Sequence, residues 1–160
     1  MILNKFSAKI RPAVVAGMFY PGHERELRNT VQKYLQSAGE AESELKNALG
    51  EITTIRMIIV PHAGYIYSGK TAAFAYQYLH QLKNKIRRVI LLGPAHRYGI
   101  KGAALPEVDS FQTPLGLITL DNDLIEKIID DYSWINVIDK AHAEEHCLEV
   151  QLPFLRETLN

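Results

Sequence analysis

Two apolar runs rich in β-branched residues, with a helix-forming stretch between them, constrain the fold of this 160-residue chain more than any other feature. Residues 55–60 read IRMIIV and end at Pro61, whereas residues 87–93 read RRVILLG. Between the two runs, Ser68 is placed to cap a helix. A strand, a helix and a second strand in succession predict a layered α/β architecture with parallel pairing.

Other segments with helical or strand periodicity fit the same architecture. They are two amphipathic helices at 23–36 and 121–132, two weaker strands at 102–105 and 134–138, and a C-terminal helix from residue 144 that Pro153 should kink. We therefore predict one domain over residues 1–160, an αβα sandwich around a mainly parallel sheet. Ligands of such sheets bind where strands end, at the carboxyl edge.

The charge balance and the cysteine content argue against several classes of function. Lys and Arg together number 18, as do Asp and Glu, so no net field draws the chain to nucleic acid or to an anionic membrane. No apolar run approaches the ~18 residues that cross a bilayer, and no secretory signal is recognisable. Cys147 is the only cysteine, so there is no intrachain disulfide and no CxxC zinc site. We expect a cytoplasmic location.

Residues 64–71, GYIYSGKT, satisfy the phosphate-loop pattern G-x-x-x-x-G-K-[ST] at every specified position. The residues inside the pattern argue against a nucleotide site, because Tyr65, Ile66 and Tyr67 resist the wrapped backbone that a phosphate needs. No second apolar strand ends in the Asp that would hold Mg²⁺ through water. Nucleotide binding is the weaker alternative, and a helical first turn with a solvated Lys70 is the simpler interpretation.

Histidines follow both of the predicted strands. His62 lies two residues beyond the first run, and His96 lies three residues beyond the second. If the strands are neighbours, their ends lie about 5 Å apart, and two imidazoles there could share one ion. Neutral imidazole is a ligand for Fe, Zn and Cu. The sequence therefore predicts a metal site at this edge of the sheet.

A third histidine, His146, follows the last predicted strand and is flanked by carboxylates. Glu145 or Glu149 could orient an imidazole from outside the metal's own ligands. Cys147 is in principle a thiolate ligand but is better explained as a small helix residue. His142 is left open, because HAEEH is not the helical HExxH zinc pair. Two further histidines, at positions 23 and 80, fit solvated helix positions.

Several motifs in the chain resemble the Memo family, whose prokaryotic members are described as the Memo-like component of the AmmeMemoRadiSam system. The matching pieces span nearly the whole chain and read RPAVVAGMFYP, PHAGYIYSGKTAAFAY, VILLGPAHRYGIKGAAL, FQTPLG and EHCLEVQLPFL. The phosphate-loop letters then belong to a family pattern that already begins at Pro61.

The resemblance implies a fold like that of the LigB-type class III extradiol dioxygenases, with a metal pocket. It assigns His62 and His96 as metal ligands, and His146 as a third ligand or a catalytic acid/base. Iron is the expected metal, with copper or zinc as alternatives, and Tyr65 and Tyr67 are expected to form the pocket wall. The family cysteine associated with the metal lies in a second half of the chain, so Cys147 does not take that role.

Two functions of different classes follow from the resemblance. One is a metal-dependent redox enzyme that acts on an unidentified small substrate, and the other is a non-catalytic scaffold that binds a peptide. Family chains continue past QLPFL, so we expect the sheet of this chain to be incomplete. Its expected partners are a second copy, in a homo-oligomer, or a chain that supplies the second half.

Overall fold

The computed structural model describes residues 8–49 and 54–159. Five α-helices lie within these ranges: α1 (Glu24–Leu49), α2 (Tyr65–His80), α3 (Asn122–Asp131), α4 (Lys140–Ala143) and α5 (Leu152–Leu159). A 3₁₀ turn at Glu149–Gln151 leads directly into α5. None of the helices in this part of the chain combines the length and the hydropathy needed to cross a membrane.

Five short strands form two separate small sheets in the same described ranges. They are β1 (Ile10–Arg11), β2 (Ala103–Leu105), β3 (Ser110–Thr113), β4 (Gly116–Thr119) and β5 (Ile135–Val137). In the first sheet β1 pairs in parallel with β3, which pairs antiparallel with β4; in the second, β2 pairs in parallel with β5. The α/β class is confirmed, and so are the two weaker strands predicted near residues 102–105 and 134–138.

The two runs that most resembled strands are not strands in the structure. Residues 55–60 and 87–93 belong to neither sheet, although both are apolar and rich in β-branched residues. A strand exists only through hydrogen bonds to a neighbour, and the described residues supply none to either run. The prediction that residues 55–60 and 87–93 form strands is therefore wrong for the part of the chain described.

The helix after the first run is confirmed, but it begins earlier than Ser68. Tyr65 opens α2, and its backbone N–H donates to the carbonyl of Phe19 at 2.7 Å. The hydroxyl of Ser68 donates back to the carbonyl of Ala63 at 3.1 Å, so it supports the first turn from inside the helix. The N-cap position is taken by Gly64, where an added Cβ would lie in ordinary van der Waals contact with the backbone of Phe19.

The predicted C-terminal helix is divided into shorter pieces, and Pro153 does not kink it. Helix α5 starts at Leu152, which places Pro153 in the first turn. A proline is tolerated there because the first N–H groups of a helix have no partner within the helix. The chain therefore reaches α5 through an irregular stretch from Glu144 to Leu148, and this stretch carries the polar residues of the candidate site.

The hydrophobic core lies where α1 and α2 pack against α5. Leu27 and Val31 on α1 and Ala73 on α2 are completely buried. The rings of Tyr76 and Phe154 stack with their centroids 5.0 Å apart, which joins α2 to α5. This core fixes the position of the chain immediately before α5, where His146 lies.

Candidate metal centre

Three histidines from distant parts of the sequence come together in the structure. The ring centroids of His62 and His96 are 5.3 Å apart, and His146 lies 5.8 Å from the first and 4.6 Å from the second. One ring nitrogen from each residue can be chosen so that all three lie within 4.8 Å of one another. The predicted meeting of His62 and His96 is confirmed, and His146 joins them.

The carboxylate of Glu145 connects two of the three histidines. Its Oε1 lies 2.9 Å from Nδ1 of His96, and its Oε2 accepts the backbone N–H of the same residue at 2.6 Å. The Nδ1 atom of His146 is farther away, at 3.4 Å from Oε1. An ionised carboxylate can only accept, so Nδ1–H of His96 donates to it, and in the neutral tautomer of that ring Nε2 has the lone pair that could bind a metal.

The same hydrogen bonds keep Glu145 ionised. Burial by itself would raise the pKa of this carboxyl group, but donation from the His96 ring and from the backbone N–H groups of His96, Cys147 and His146 outweighs burial. The pKa of Glu145 is lowered to about 2. The group is therefore a permanent negative charge near neutral pH, directly behind the histidine cluster.

His146 is held in its neutral form. Burial lowers the pKa of its imidazole from the ordinary histidine value, which favours the neutral form, and the nearby rings of His96 and His62 and the guanidinium of Arg97 act in the same direction. Only Glu145 opposes the shift. Neutral imidazole is the form that binds metals, so the electrostatic surroundings suit a ligand.

The stretch before α5 also holds the segments that carry His62 and His96. The side-chain amide of Gln151 donates to the carbonyl of Pro61 at 3.1 Å, and its own oxygen accepts from the hydroxyl of Tyr76 at 2.9 Å.

The loop that carries His96 packs against the same stretch. A Cβ added to Gly93 would lie only 2.5 Å from the Sγ atom of Cys147. Contacts with residues 145–151 therefore bring the two loops together.

Glu149, the other candidate for orienting a histidine, has a different role. It is completely buried and forms a 2.6 Å ion pair with Arg11, which is itself 5% exposed. It also accepts the hydroxyl of Tyr20 and the backbone N–H groups of Val14 and Val15. Through these contacts Glu149 holds the N-terminal segment, which includes Phe19, against the residues around His146.

A pocket of about 790 Å³ opens beside the histidines. His62 and His146 line it together with apolar residues, among them Phe19, whose ring centroid is 4.6 Å from that of His146. Tyr67 contributes to the wall and is 82% exposed. Tyr65 was also expected in the pocket wall, but this prediction is wrong. Its side chain lies in the core, and its hydroxyl donates to the carbonyl of Val150 at 2.8 Å.

Cys147 and His142 lie outside the histidine cluster. Burial raises the pKa of the Cys147 thiol to about 12, and the thiol contacts the carbonyl of Pro94 at 3.0 Å, so it is protonated and inward-facing. His142 is buried with its Nε2 atom 3.1 Å from the carbonyl of Ala104, and burial lowers its pKa. Both residues have structural partners in place of a metal.

The structure does not support nucleotide binding through GYIYSGKT. Residues 65–71 form the first two turns of α2 and leave no loop that could wrap a phosphate. Lys70 is exposed, as in the simpler interpretation of the pattern. Gly69 serves helix packing, because a Cβ at this position would meet Cε2 of Tyr34 on α1 at 2.6 Å.

Three residues of the site's surroundings were not anticipated from the sequence: Arg11, Phe19 and Gln151. A signal for Gln151 was present, since it is a polar residue inside the apolar run LEVQLPFL and a buried amide requires partners. Phe19 and Arg11 belong to a segment without periodicity, so nothing local indicated their distant contacts.

Comparison with known proteins places this arrangement in a family. The family profile described as Memo-like protein matches residues 11–160. A MEMO1 family protein of Nitrosopumilus maritimus is 36% identical over 148 residues, which cover 92% of this chain and 51% of that relative. A MEMO1 family protein of Aquifex aeolicus is 39% identical over 148 residues, covering 92% and 50%.

A third relative, of lower identity, also matches nearly the whole chain. The protein memo-1 homolog of Caenorhabditis elegans is 33% identical over 160 residues, which cover 99% of this chain and 42% of that protein. The chain thus spans about half the length of the curated relatives it matches. With a profile match over nearly all of its residues, the chain belongs to the Memo family.

Proposed function

We propose that this chain is a metal-binding protein that holds one divalent transition-metal ion between His62, His96 and His146. The observation that carries the proposal is the convergence of three imidazole nitrogens within 4.8 Å of one another. The donor set fits such an ion, because three neutral imidazoles are good ligands for iron, copper and zinc. The fixed proton on Nδ1 of His96 and the lowered pKa of His146 favour the ligating forms.

Iron is the metal that we propose, with copper or zinc as alternatives. When bound, iron would supply redox chemistry toward a small substrate. The residues of the chain would then bind and orient that substrate: Phe19 and Tyr67 offer aromatic surface along the pocket. His146 is the proposed third ligand, and if two histidines suffice for the ion, its neutral ring is placed to accept a proton from the substrate.

A non-catalytic binding module is the second candidate. The observation that favours it is the exposure of apolar side chains around the pocket, with Ile59 at 90% and Tyr67 at 82%. Surface of this kind suits an apolar side chain of a peptide. We also propose a cytoplasmic location, which the single, unpaired Cys147 supports.

Metal binding is tested on untagged protein. Elemental analysis after purification, followed by titration with Fe²⁺ under anaerobic conditions and with Zn²⁺, should give about one ion per chain. The double variant His62→Ala, His96→Ala should lose this stoichiometric binding, whereas His80→Ala, at an exposed helix position, should keep it. Equal binding by the double variant and the His80→Ala control would refute the proposal.

Measurements of oxygen consumption distinguish the redox-enzyme hypothesis from the binding-module hypothesis. Iron-loaded protein that consumes O₂ faster in the presence of a catechol than the double histidine variant does would support a redox enzyme. Stoichiometric metal binding without turnover across a panel of catechols, together with saturable binding of an apolar peptide that Tyr67→Ala weakens, would favour the binding module.

A further inference from the structure

Arg97 carries a positive charge beside the histidine cluster, and the described part of the chain offers it no carboxylate partner. It directly follows His96, so the Cα atoms of the two residues are about 3.8 Å apart. The ring of His96 in turn stacks on that of His146 with a centroid distance of 4.6 Å. The side chain of Arg97 is exposed, and none of the ion pairs between described residues includes it. A permanent cation therefore lies at the edge of the candidate centre without a counter-charge.

The charge of Arg97 acts on His146. Burial is the main cause of the lowered pKa of His146, and the guanidinium of Arg97 contributes in the same direction. The Glu145 carboxylate is already engaged by N–H groups of His96, His146 and Cys147. Glu145 therefore does not serve as the partner of Arg97, although it belongs to the same centre.

The pocket next to the cluster also lacks a negative charge. Its lining includes no Asp and no Glu, and apart from His62 and His146 its walls are formed by apolar residues and by the aromatic side chains of Phe19 and Tyr67. An ion held by the three histidines would add two positive charges, of which Glu145 offsets only one. Charges beside low-dielectric walls act more strongly than in open water. The site is therefore suited to an anion.

We propose that this pocket binds a small organic monocarboxylate, with its carboxylate paired with Arg97 and its apolar body against Phe19 and Tyr67. The proposal rests on the metal-binding function proposed above and names the class of ligand that the same site takes. A guanidinium offers two parallel N–H donors that match the two oxygens of a carboxylate. One arginine neutralises one negative charge, so a monoanion fits this site better than a doubly charged phosphate ester. The volume of about 790 Å³ is typical of sites for small molecules.

Calorimetric titrations of Zn²⁺-loaded protein with 3-phenylpropionate and with 3-phenylpropionamide test the proposal. The two probes share one apolar body and differ in the charge of the head group. We expect the carboxylate to bind at least about tenfold more tightly than the amide. Arg97→Gln should lower the affinity for 3-phenylpropionate at least about fivefold and leave the affinity for the amide unchanged. Equal binding of the two probes by the unchanged protein would overturn the proposal.

Two further variants serve as controls. Arg25→Gln removes an exposed arginine on α1 and changes the net charge by the same amount, so it should bind both probes as the unchanged protein does. Tyr67→Ala should weaken both probes by a similar factor, because it removes aromatic surface that both contact. Equal affinity for the carboxylate in Arg97→Gln and Arg25→Gln would overturn the proposal. So would a loss in Arg97→Gln that affects the amide as strongly, because it would indicate a structural effect.

The zinc content of each sample separates this proposal from that of the metal centre. Protein that binds no zinc but still binds 3-phenylpropionate in a way that depends on Arg97 would refute the metal centre and retain the anion site. Protein that carries one zinc ion and binds the carboxylate independently of Arg97 would retain the metal centre and refute the anion site. Protein that binds neither would refute both.

Discussion

Apart from the three histidines, Glu145 is the most important residue of the candidate centre, because it accepts hydrogen bonds from His96, His146 and Cys147. One carboxylate oxygen receives the ring N–H of His96 and two backbone N–H groups, and the other receives a third. Such a partner fixes which ring nitrogen faces the metal and increases the basicity of the ligand. His96 is 39% exposed at its side chain, so without this contact its ring would be free to turn.

We predict that Glu145→Gln weakens metal binding by about 10- to 100-fold. Without the negative charge, the Nδ1–H tautomer of His96 is no longer favoured over the Nε2–H tautomer. Glu144→Gln changes the neighbouring exposed carboxylate and is the matched control. Competition titrations with a Zn²⁺ chelator give the affinities, and ¹⁵N shifts of the imidazoles in the apo protein give the tautomer. Identical affinities in the two variants would mean that Glu145 does not orient the ligand.

The convergence of His62 and His96 was predictable from their positions, but the reason differs from the one that the sequence indicated. Both were expected to meet because adjacent parallel strands deliver them to one edge. Among the residues that the structure describes, the adjoining runs pair with no strand, and contacts of Gln151 and Cys147 hold the two loops. Such contacts join residues 53 to 90 positions apart and have no local sequence signature.

At the scale of elements, amphipathic helices were the most predictable parts of the fold. Periodicity located α2, α3 and the first half of α1, which continues to Leu49 beyond the predicted end at residue 36. A helix satisfies its backbone within itself and displays its apolar face every three or four residues. Strands depend on partners elsewhere, so the runs at 55–60 and 87–93 were misjudged. The β3–β4 hairpin was also not predicted, although Gly116 with its positive φ of 113° marks its turn.

The N-terminal segment and the end of the chain are joined by the buried pair of Arg11 and Glu149. We predict that Glu149→Gln lowers the free energy of unfolding by about 3–5 kcal/mol, because it leaves a buried guanidinium without its counter-charge. Urea denaturation measures the change. Glu107→Gln breaks an exposed ion pair with Lys9 and should leave the free energy of unfolding almost unchanged. Similar losses in both variants would contradict this role.

The packing of α1 on α2 requires a glycine inside a helix. Alanine is a better helix former than glycine, yet at position 69 a methyl group would overlap the ring of Tyr34. We predict that Gly69→Ala destabilises the protein by about 1–3 kcal/mol in thermal or urea unfolding. In a Tyr34→Ala background the same Gly69→Ala change should cost less stability, and a stabilised single variant would argue against close packing here.

For the whole molecule, folding and metal binding should be linked. An ion that binds only the folded chain stabilises it by about 2.7 kcal/mol when its free concentration is 100 times the dissociation constant. We predict that Zn²⁺ raises the Tm of the chain and does not raise that of His62→Ala, His96→Ala. Calorimetry with and without a chelator measures the shift. An equal rise in both proteins would place the ion elsewhere.

The stacked rings of Tyr76 and Phe154 have a consequence at a distance. Phe154 lies in the first turn of α5, directly after residues 145–151. The hydroxyl of Tyr76 donates to the side-chain amide of Gln151, which in turn donates to the carbonyl of Pro61, next to His62. We expect any loosening of this interior contact to change the spacing of the three clustered histidines. The absorption spectrum of a cobalt-substituted sample could then serve as an optical gauge of how tightly the helical layer is assembled.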